Sequence, residues 1–179
     1  MNALEATDLR EWAVANRDMT PHIETLTRYA SEAQIIVEFG VRGAVSTWAL
    51  LDGLPPGGRM WSMDVDDCVV PPRVSSDPRW SFIRGSDLDG SVWSLLPEQA
   101  DLVFIDTTHE YKHTEMELRL ALTLKPARVL CHDAEWPGVE RAVHEVLHQG
   151  WSMEGYYPAG DERGPFGLVS LTPPPWGLP

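Results

Sequence analysis

IIVEFGVRGAVSTWALL, residues 35–51, combines a largely apolar run, two glycines and the start of a helical segment. The run at 35–39 is typical of a buried parallel strand, and residues from about 44 to 52 are predicted to be a helix. Between them, Gly40 and Gly43 allow a tight turn in which no Cβ keeps a ligand away from the backbone. Free N–H groups at the start of the helix point to the same place. The stretch therefore predicts either a cradle for a nucleotide-like ligand or a turn that only closes an ordinary βα unit.

The same alternation of apolar runs and helical segments continues through most of the chain. Further buried strands are predicted at 59–63, 80–84, 101–106 and 127–133. Further helices are predicted at about 90–96, 112–124 and 137–149, so the connections are long enough for right-handed crossovers between parallel strands. Strand-like runs at 151–157 and 166–172 then flank the turn-rich PAGDERGP, and they predict a hairpin with an antiparallel pairing at one edge of the sheet.

This pattern predicts an α/β fold with a doubly wound, Rossmann-like sheet that is mostly parallel. The 179 residues are close to the size at which one hydrophobic core suffices, so we expect a single domain over 1–179. Residues 1–33 are predicted to form a helical flank. The proline-rich stretches at 68–78 and 173–179 are predicted to be a loop and a flexible tail without regular structure.

Composition and charge exclude several classes of partner. Lys and Arg number 14 against 27 Asp and Glu, and the resulting formal net charge of −13 would repel nucleic-acid phosphates and anionic lipid. Two cysteines are too few for a disulfide scaffold or a cysteine-built metal cluster, which favours a reducing compartment. The N-terminus lacks a basic start followed by an apolar run, and no stretch approaches the ~18 apolar residues of a membrane span. We therefore expect a cytoplasmic protein that binds neither nucleic acid nor membrane.

The second predicted strand ends in an acidic residue, Asp64. An acid at the end of the second strand of such a unit can accept hydrogen bonds from both ribose hydroxyls of a bound nucleoside. A dinucleotide fingerprint would require glycines where this chain has Arg42 and Val45, so close approach of a pyrophosphate is disfavoured. The pattern thus favours a nucleoside ligand other than NAD.

Four segments in order, VEFGVRGAVST, MDVDD, FIDTTHEY and CHDAEWPGVERAV, resemble the class I S-adenosylmethionine-dependent methyltransferases over about residues 20–150. More narrowly they are similar to the small O-methyltransferase-like group described with cephalosporin hydroxylase and macrocin-type enzymes. The resemblance implies a seven-stranded, doubly wound sheet with S-adenosylmethionine over the carboxyl ends of the first strands. Arg42 departs from the commonest methyltransferase pattern, though it suits the narrower group. The cofactor-binding residues that the resemblance implies are Glu38, Gly40 and Gly43 for the methionine portion, Asp64 for the ribose, and Ser86 and Asp87 for the adenine edge.

Two acids end adjacent predicted strands, Asp106 in FIDTTHEY and Asp133 in CHDAEW. Their oxygens suit a hard divalent cation such as Mg²⁺, which would orient an acceptor hydroxyl and lower its pKa. Resemblance to metal-dependent members implies Asp106 and Asp133 as magnesium ligands, with His132 where those members often have another acid. A histidine there favours manganese, iron or zinc, or only ends the strand. In the alternative without metal, Asp106 caps a turn and Asp133 accepts backbone hydrogen bonds.

His109 lies shortly after Asp106, and histidine is the side chain that most often acts as a general base, so His109 is the preferred catalytic base, with Asp106 as its catalytic neighbour. Together these features predict methylation of a hydroxyl on a small-molecule acceptor, with N-methylation as a variant. The alternative of another class is a non-catalytic nucleoside-binding module. A homodimer is a further expectation, since a partner often covers the acceptor site of a small methyltransferase.

One motif indicates a different function, since HEVLH at 144–148 matches the H-E-x-x-H pattern of zinc hydrolases. An apolar stripe of helical period runs along the same segment, and it places His144 and His148 on the opposite, solvent-facing side. Zinc hydrolysis is therefore kept only as a minor alternative.

Overall fold

The computed structural model describes residues 18–159 and 166–175. Its strands are β1 Ile35–Phe39, β2 Arg59–Asp64, β3 Trp80–Arg84, β4 Leu102–Ile105, β5 Arg128–Cys131, β6 Ser152–Tyr157 and β7 Leu168–Thr172. Its α-helices are α1 Ile23–Ser31, α2 Val45–Gly53, α3 Pro72–Ser75, α4 Gly90–Trp93, α5 Tyr111–Ala121 and α6 Pro137–His148. Single 3₁₀ turns, Thr20–His22 and Leu122–Leu124, precede α1 and follow α5.

The strands form one seven-stranded sheet in the order β3-β2-β1-β4-β5-β7-β6. β1 pairs in parallel with both β2 and β4, so the strand order reverses between β1 and β4. Only β7 runs antiparallel, and it lies between β5 and β6. This arrangement confirms the predicted doubly wound sheet with an antiparallel pairing at one edge. In open α/β sheets a ligand crevice forms at the carboxyl ends of the strands, where the strand order reverses.

The central strands are apolar because both faces of the sheet are covered. All four residues of β4 are buried, and Ile36 and Val37 of β1 are fully buried although they point to opposite faces. One core cluster packs Ile36 against residues of α1 and α2. The other packs Val37 against residues of α5 and α6. Helices on both faces leave the carboxyl edge of the sheet as the place where polar side chains can gather.

The segments predicted to flank the sheet or to lack regular structure have mixed outcomes. Within the predicted flank at 1–33, residues 1–17 lie outside the described part, and the rest contains the 3₁₀ turn and α1. The prediction that 68–78 lacks regular structure was wrong at α3, because Pro72 fits the first turn of a helix, where its missing N–H has no partner to lose. The predicted helix at 90–96 is one turn long, Gly90–Trp93. In the predicted tail, residues 173–175 have no regular structure, and 176–179 lie outside the described part.

Within the described residues, no helix is both long enough and apolar enough to cross a lipid bilayer.

Candidate functional site

Gly40, directly after β1, lies against the backbone at the end of β4. Its φ is +88°, and a Cβ built on it would lie 1.9 Å from the carbonyl oxygen of Asp106. The Gly40 N–H donates to the carbonyl of Met63 at 2.9 Å. Glycine is therefore required here by the packing of β4 against the turn, in addition to any ligand that approaches it. Arg42 and Ala44 continue the turn with φ values of 43° and 58°, which for residues with a side chain is a strained, left-handed conformation.

Asp64, the last residue of β2, holds this turn in place. One carboxylate oxygen accepts hydrogen bonds from the backbone N–H groups of Val41 and Arg42 at 2.8 and 3.0 Å. The other accepts from the N–H of Asp66 at 3.0 Å. Partial burial raises the pKa of Asp64, but the backbone hydrogen bonds outweigh it, so the pKa lies below its ordinary value. Asp64 thus stays ionised beside the crevice, and the predicted contact with a ribose stays a prediction.

Glu38, in the middle of β1, is fully buried behind the glycine turn. Its two oxygens accept hydrogen bonds from the hydroxyls of Ser46 and Thr47, at 2.6 and 2.7 Å, in the first turn of α2. Burial raises the pKa of Glu38 to about 7, and the hydroxyl hydrogen bonds oppose that rise only in part. The side chain therefore fastens β1 to α2, and its predicted contact with a cofactor stays a prediction.

A cavity of about 430 Å³ lies at the carboxyl ends of β1, β2, β4 and β5. Its size is within the range of ligand pockets, and its position is the crevice that the sheet order predicts. The loop at 65–69 forms one side of it. Of the predicted site residues, the cavity is lined by Gly40, Asp64, Asp87, Asp106, His109 and Asp133. The predicted residues outside its lining are Glu38, Gly43, Ser86 and His132, of which Gly43 borders a small separate recess.

Asp106, His109 and Asp133 come together at the ends of β4 and β5. His109 Nε2 lies 2.5 Å from Asp133 Oδ2, and the three side chains offer ligand atoms that all lie within 4.8 Å of one another. The His109 ring stacks on Trp136, with ring centroids 4.7 Å apart and planes 12° from parallel. The backbone of His109 is also fixed, because a Cβ on Gly138, at the start of α6, would lie 2.0 Å from its carbonyl oxygen. The imidazole is thus held against Asp133 and remains partly exposed to the cavity.

His132 bridges the two carboxylates from the protein side. It is buried, and its Nδ1 lies 3.2 Å from Asp106 Oδ1 and 3.3 Å from Asp133 Oδ2. Burial lowers the pKa of His132, but the two carboxylates outweigh it and raise the pKa to about 10. The sequence grouped His132 with Asp106 and Asp133 as metal ligands. In the structure His109 completes the cavity-facing cluster, because the first residue after β5 points into the protein and the second, Asp133, turns outward with a φ of 55°.

Two features near the cavity were missed by sequence reasoning. His22, ahead of α1, packs edge-on against His132 with ring centroids 5.3 Å apart. His113 and Glu117 of α5 approach Asp87, and the three offer ligand atoms within 4.8 Å of one another. The spacing of His113 and Glu117, four residues apart on a helix, is the signal that could have paired them. Asp87 is on a different element, and nothing in the sequence pattern brings it to that helix.

The HEVLH motif lies on α6, as predicted. Val139, Ala142, Val143 and Val146 are buried against the sheet. His144 and His148 are exposed, and neither belongs to a metal-compatible cluster among the described residues. The structure therefore gives no support to zinc hydrolysis through this motif.

The chain is similar to solved O-methyltransferase structures over most of its length. One is an O-methyltransferase from Bacillus cereus in complex with S-adenosylhomocysteine, at 17% identity and TM-score 0.70, covering 94% of this chain and 93% of that one. Another is TomG from Streptomyces achromogenes, an O-methyltransferase involved in tomaymycin synthesis and solved with S-adenosylmethionine, at 17% identity and TM-score 0.67, covering 89% and 88%. A third, from Klebsiella pneumoniae and described as an O-methyltransferase only provisionally, gives 20% identity and TM-score 0.66, covering 94% and 83%.

These similarities confirm the predicted fold, which the chain shares with these O-methyltransferase structures. No protein-family model and no curated protein matches the sequence.

Proposed function

We propose that this protein binds S-adenosylmethionine and transfers its methyl group to a hydroxyl of a small molecule. The observation that carries the proposal is the single cavity in which an Asp64-anchored glycine turn faces the Asp106–His109–Asp133 cluster. A cofactor cradle and a set of groups for acceptor chemistry thus open into the same space. The solved structures that share the fold include O-methyltransferases bound to S-adenosylmethionine or to its demethylated product, which supports the cofactor assignment.

In this assignment, the ribose, the methionine portion and the adenine of S-adenosylmethionine lie along the cavity. The ribose lies at Asp64 and the methionine portion over the turn at Gly40, as the family resemblance implies. Asp87 lines the same cavity after β3, where the adenine edge is expected. The sulfonium methyl then faces the ends of β4 and β5.

In the transfer itself, the C–S bond of the cofactor breaks as a C–O bond forms, and the acceptor hydroxyl gives up one proton. His109 is placed to take that proton. If its Nε2–H donates to Asp133, its Nδ1 is the free nitrogen that can accept. The imidazolium that results is stabilised by Asp133 at 2.5 Å, and Trp136 keeps the ring in place. The remaining contribution of the protein is alignment of the two reactants and exclusion of water.

A divalent cation is the alternative means of activating the hydroxyl. Asp106, His109 and Asp133 fit such an ion, because they converge and because Asp133 Oδ1 is buried with no hydrogen-bond partner among the described residues. Two carboxylates and an imidazole suit Mn²⁺, Fe²⁺ or Zn²⁺ better than Mg²⁺. Such an ion would lower the pKa of the acceptor hydroxyl. His109 would then be a ligand and could not also be the base.

The charge of the cavity restricts the acceptor. Besides Asp64 and Asp87, the lining includes Asp66, Asp67, Asp106 and Asp133, with Arg42 as its only arginine or lysine among the described residues. An acceptor that carries phosphate or carboxylate groups would be repelled. We therefore propose a neutral or cationic small molecule as the acceptor, and neither nucleic acid nor a membrane as a partner.

Calorimetric titration with S-adenosylmethionine and S-adenosylhomocysteine, with and without divalent metal, tests the cofactor assignment. Both should bind, and NAD should not compete. Binding without methyl transfer to any hydroxyl in an acceptor screen would favour the non-catalytic nucleoside-binding module. Absence of binding to both cofactor forms would refute the proposal.

Once an acceptor is known, His109→Gln and EDTA separate the two ways of activating it. With His109 as base, turnover survives EDTA and falls by about 10²–10⁴ in the variant. With a metal, EDTA abolishes turnover, Mn²⁺ restores it, and Asp133→Asn has the effect of chelation. Cofactor affinity should persist in both variants, and His144→Gln, at an exposed histidine of α6, is the matched control. Full turnover in both site variants together with indifference to EDTA would show that the acceptor chemistry lies elsewhere.

A further inference from the structure

A second cluster of potential ligands lies at the wall of the cavity, and Asp87 is its only member that the proposed cofactor assignment uses. Asp87 follows β3, and His113 and Glu117 lie one turn apart on α5. His113 Nε2 is 2.8 Å from Asp87 Oδ2 and 3.8 Å from Glu117 Oε1. Tetrahedral or octahedral ligands on bonds of about 2.1 Å are roughly 3.0–3.5 Å apart, so these spacings need only small adjustments around one ion.

The electrostatics of this cluster are unbalanced without a cation. Glu117 is fully buried and Asp87 is 6% exposed, so both carboxylates are removed from water on folding. A single imidazole, that of His113, lies close enough to compensate for their charge. Glu117 Oε2 is buried and has no hydrogen-bond partner among the described residues, so it is a free ligand position.

The carboxylate of Glu117 is also held in position from behind. Thr107 Oγ1, in the loop after β4, donates to Glu117 Oε1 at 2.6 Å. A hydrogen bond of this kind fixes the orientation of a ligating carboxylate and is common behind metal ligands. The Glu117 carboxylate is therefore already oriented before an ion binds.

We propose that Asp87, His113 and Glu117 form a binding site for a divalent first-row transition ion, with Zn²⁺ as the best fit. One imidazole and two carboxylates favour Zn²⁺ or Mn²⁺ over Mg²⁺ or Ca²⁺, which prefer oxygen ligands alone. Asp87 and His113 line the cavity, so the remaining coordination position is open to water on that side. The ion would fasten the loop after β3 to α5 and so fix one wall of the cavity. The site does not require methyl transfer, although it shares Asp87 with the expected adenine edge of the cofactor.

This site is tested alone by measuring zinc binding in a variant whose other cluster, Asp106–His109–Asp133, is disabled. The background variant is Asp133→Asn, which removes one ligand from the cluster at the ends of β4 and β5. Equilibrium dialysis against ZnCl₂ should give one bound ion per chain in this background. Adding His113→Gln should lower the zinc affinity at least about a hundredfold, whereas adding His148→Gln, at an exposed histidine of α6, should not change it.

Two further measurements keep the result interpretable. Glu117→Gln has nearly the same shape as the native side chain, and in the same background it should also lower zinc affinity even if His113→Gln fails to fold, as judged by circular dichroism. Substituting Co²⁺ for Zn²⁺ should produce visible absorption bands that disappear with Glu117→Gln. Zinc affinity that is unchanged by both variants, or absence of zinc binding in the background, would overturn the proposal and leave a proton shared between the two carboxylates. S-adenosylmethionine binding, measured separately, tests the proposed function whatever the zinc result.

Discussion

At the scale of single residues, Gly40 is a position where both the packing of the backbone and the approach of a ligand favour a residue without a side chain. A residue with a side chain would have to push back the Asp106 carbonyl, which belongs to the strand end that carries the candidate acceptor chemistry. The glycine turn and the strand end at Asp106 are therefore in direct backbone contact. Small shifts in one must move the other.

We expect Gly40→Ala to lower the free energy of unfolding by about 3 kcal/mol or more, since it adds a severe clash to an unfavourable φ. Gly57→Ala is the matched control, because Gly57 has nearly the same φ, +90°, and its Cβ would meet nothing within 4 Å. That variant should lose only about 1–2 kcal/mol. Urea unfolding measures both, and equal losses would show that the contact with Asp106 relaxes freely.

We expect Asp64→Asn to weaken S-adenosylmethionine binding by about 1.5–3 kcal/mol, because it removes a charge-assisted acceptor for ribose hydroxyls. Calorimetry measures the loss, and urea unfolding shows how much of it comes from a loosened turn. Asp67→Asn is the control, since Asp67 lines the same cavity but pairs with Arg84 at 2.9 Å. An affinity equally insensitive to both substitutions would place the cofactor elsewhere.

The site residues that could be predicted are those whose positions follow from the ends of the strands. Those that depend on a backbone dihedral or on tertiary packing could not be predicted. Asp106 and His109 were predicted at the crevice because the carboxyl ends of parallel strands share one edge, and both line the cavity. The outward direction of Asp133 depends on its left-handed φ of 55°, which the sequence does not specify. The partnership of Asp87 with His113 depends on the packing of a loop against a helix.

At the scale of elements, the Glu38 carboxylate joins the strand β1 to the helix α2. A buried acid whose pKa is about 7 binds a proton more tightly in the folded protein than in the unfolded chain, where its ordinary pKa is 4.5. The stability that this preference contributes is complete below pH 4.5 and is lost as the pH rises through 7.

We therefore expect the free energy of unfolding of the native chain, relative to Glu38→Gln, to fall by up to about 3 kcal/mol between pH 4.5 and 8. Glutamine keeps the size of the side chain and does not titrate, so other titrating groups cancel in the difference. Urea unfolding of both proteins across this range measures it. A difference that is constant with pH would show that Glu38 titrates near its ordinary value when folded.

The elements themselves were predictable to the extent that burial determines composition. Strands covered on both faces must be apolar, so β1 and β4 were recognisable as runs of apolar residues. The short α3 was missed because prolines are read as breaks in structure, although a proline in the first helical turn costs no hydrogen bond.

At the scale of the whole molecule, the net charge of −13 and the acidic cavity lining act in the same direction. We expect no binding of duplex or single-stranded nucleic acid at physiological salt, since the surface has few cations to exchange for phosphate counterions. A gel shift at several salt concentrations tests this. A retarded band whose intensity falls with increasing salt would contradict the expectation.

The position of β7 between β5 and β6 has a consequence for biosynthesis. Within the described sheet, β6 pairs with β7 alone, yet it is translated first and must wait without a partner until Leu168–Thr172 leave the ribosome. Until then the edge of β5 is also open, so a nascent chain exposes two unpaired strand edges at once. Chaperone capture of stalled nascent chains should therefore persist until Thr172 has emerged and then fall sharply.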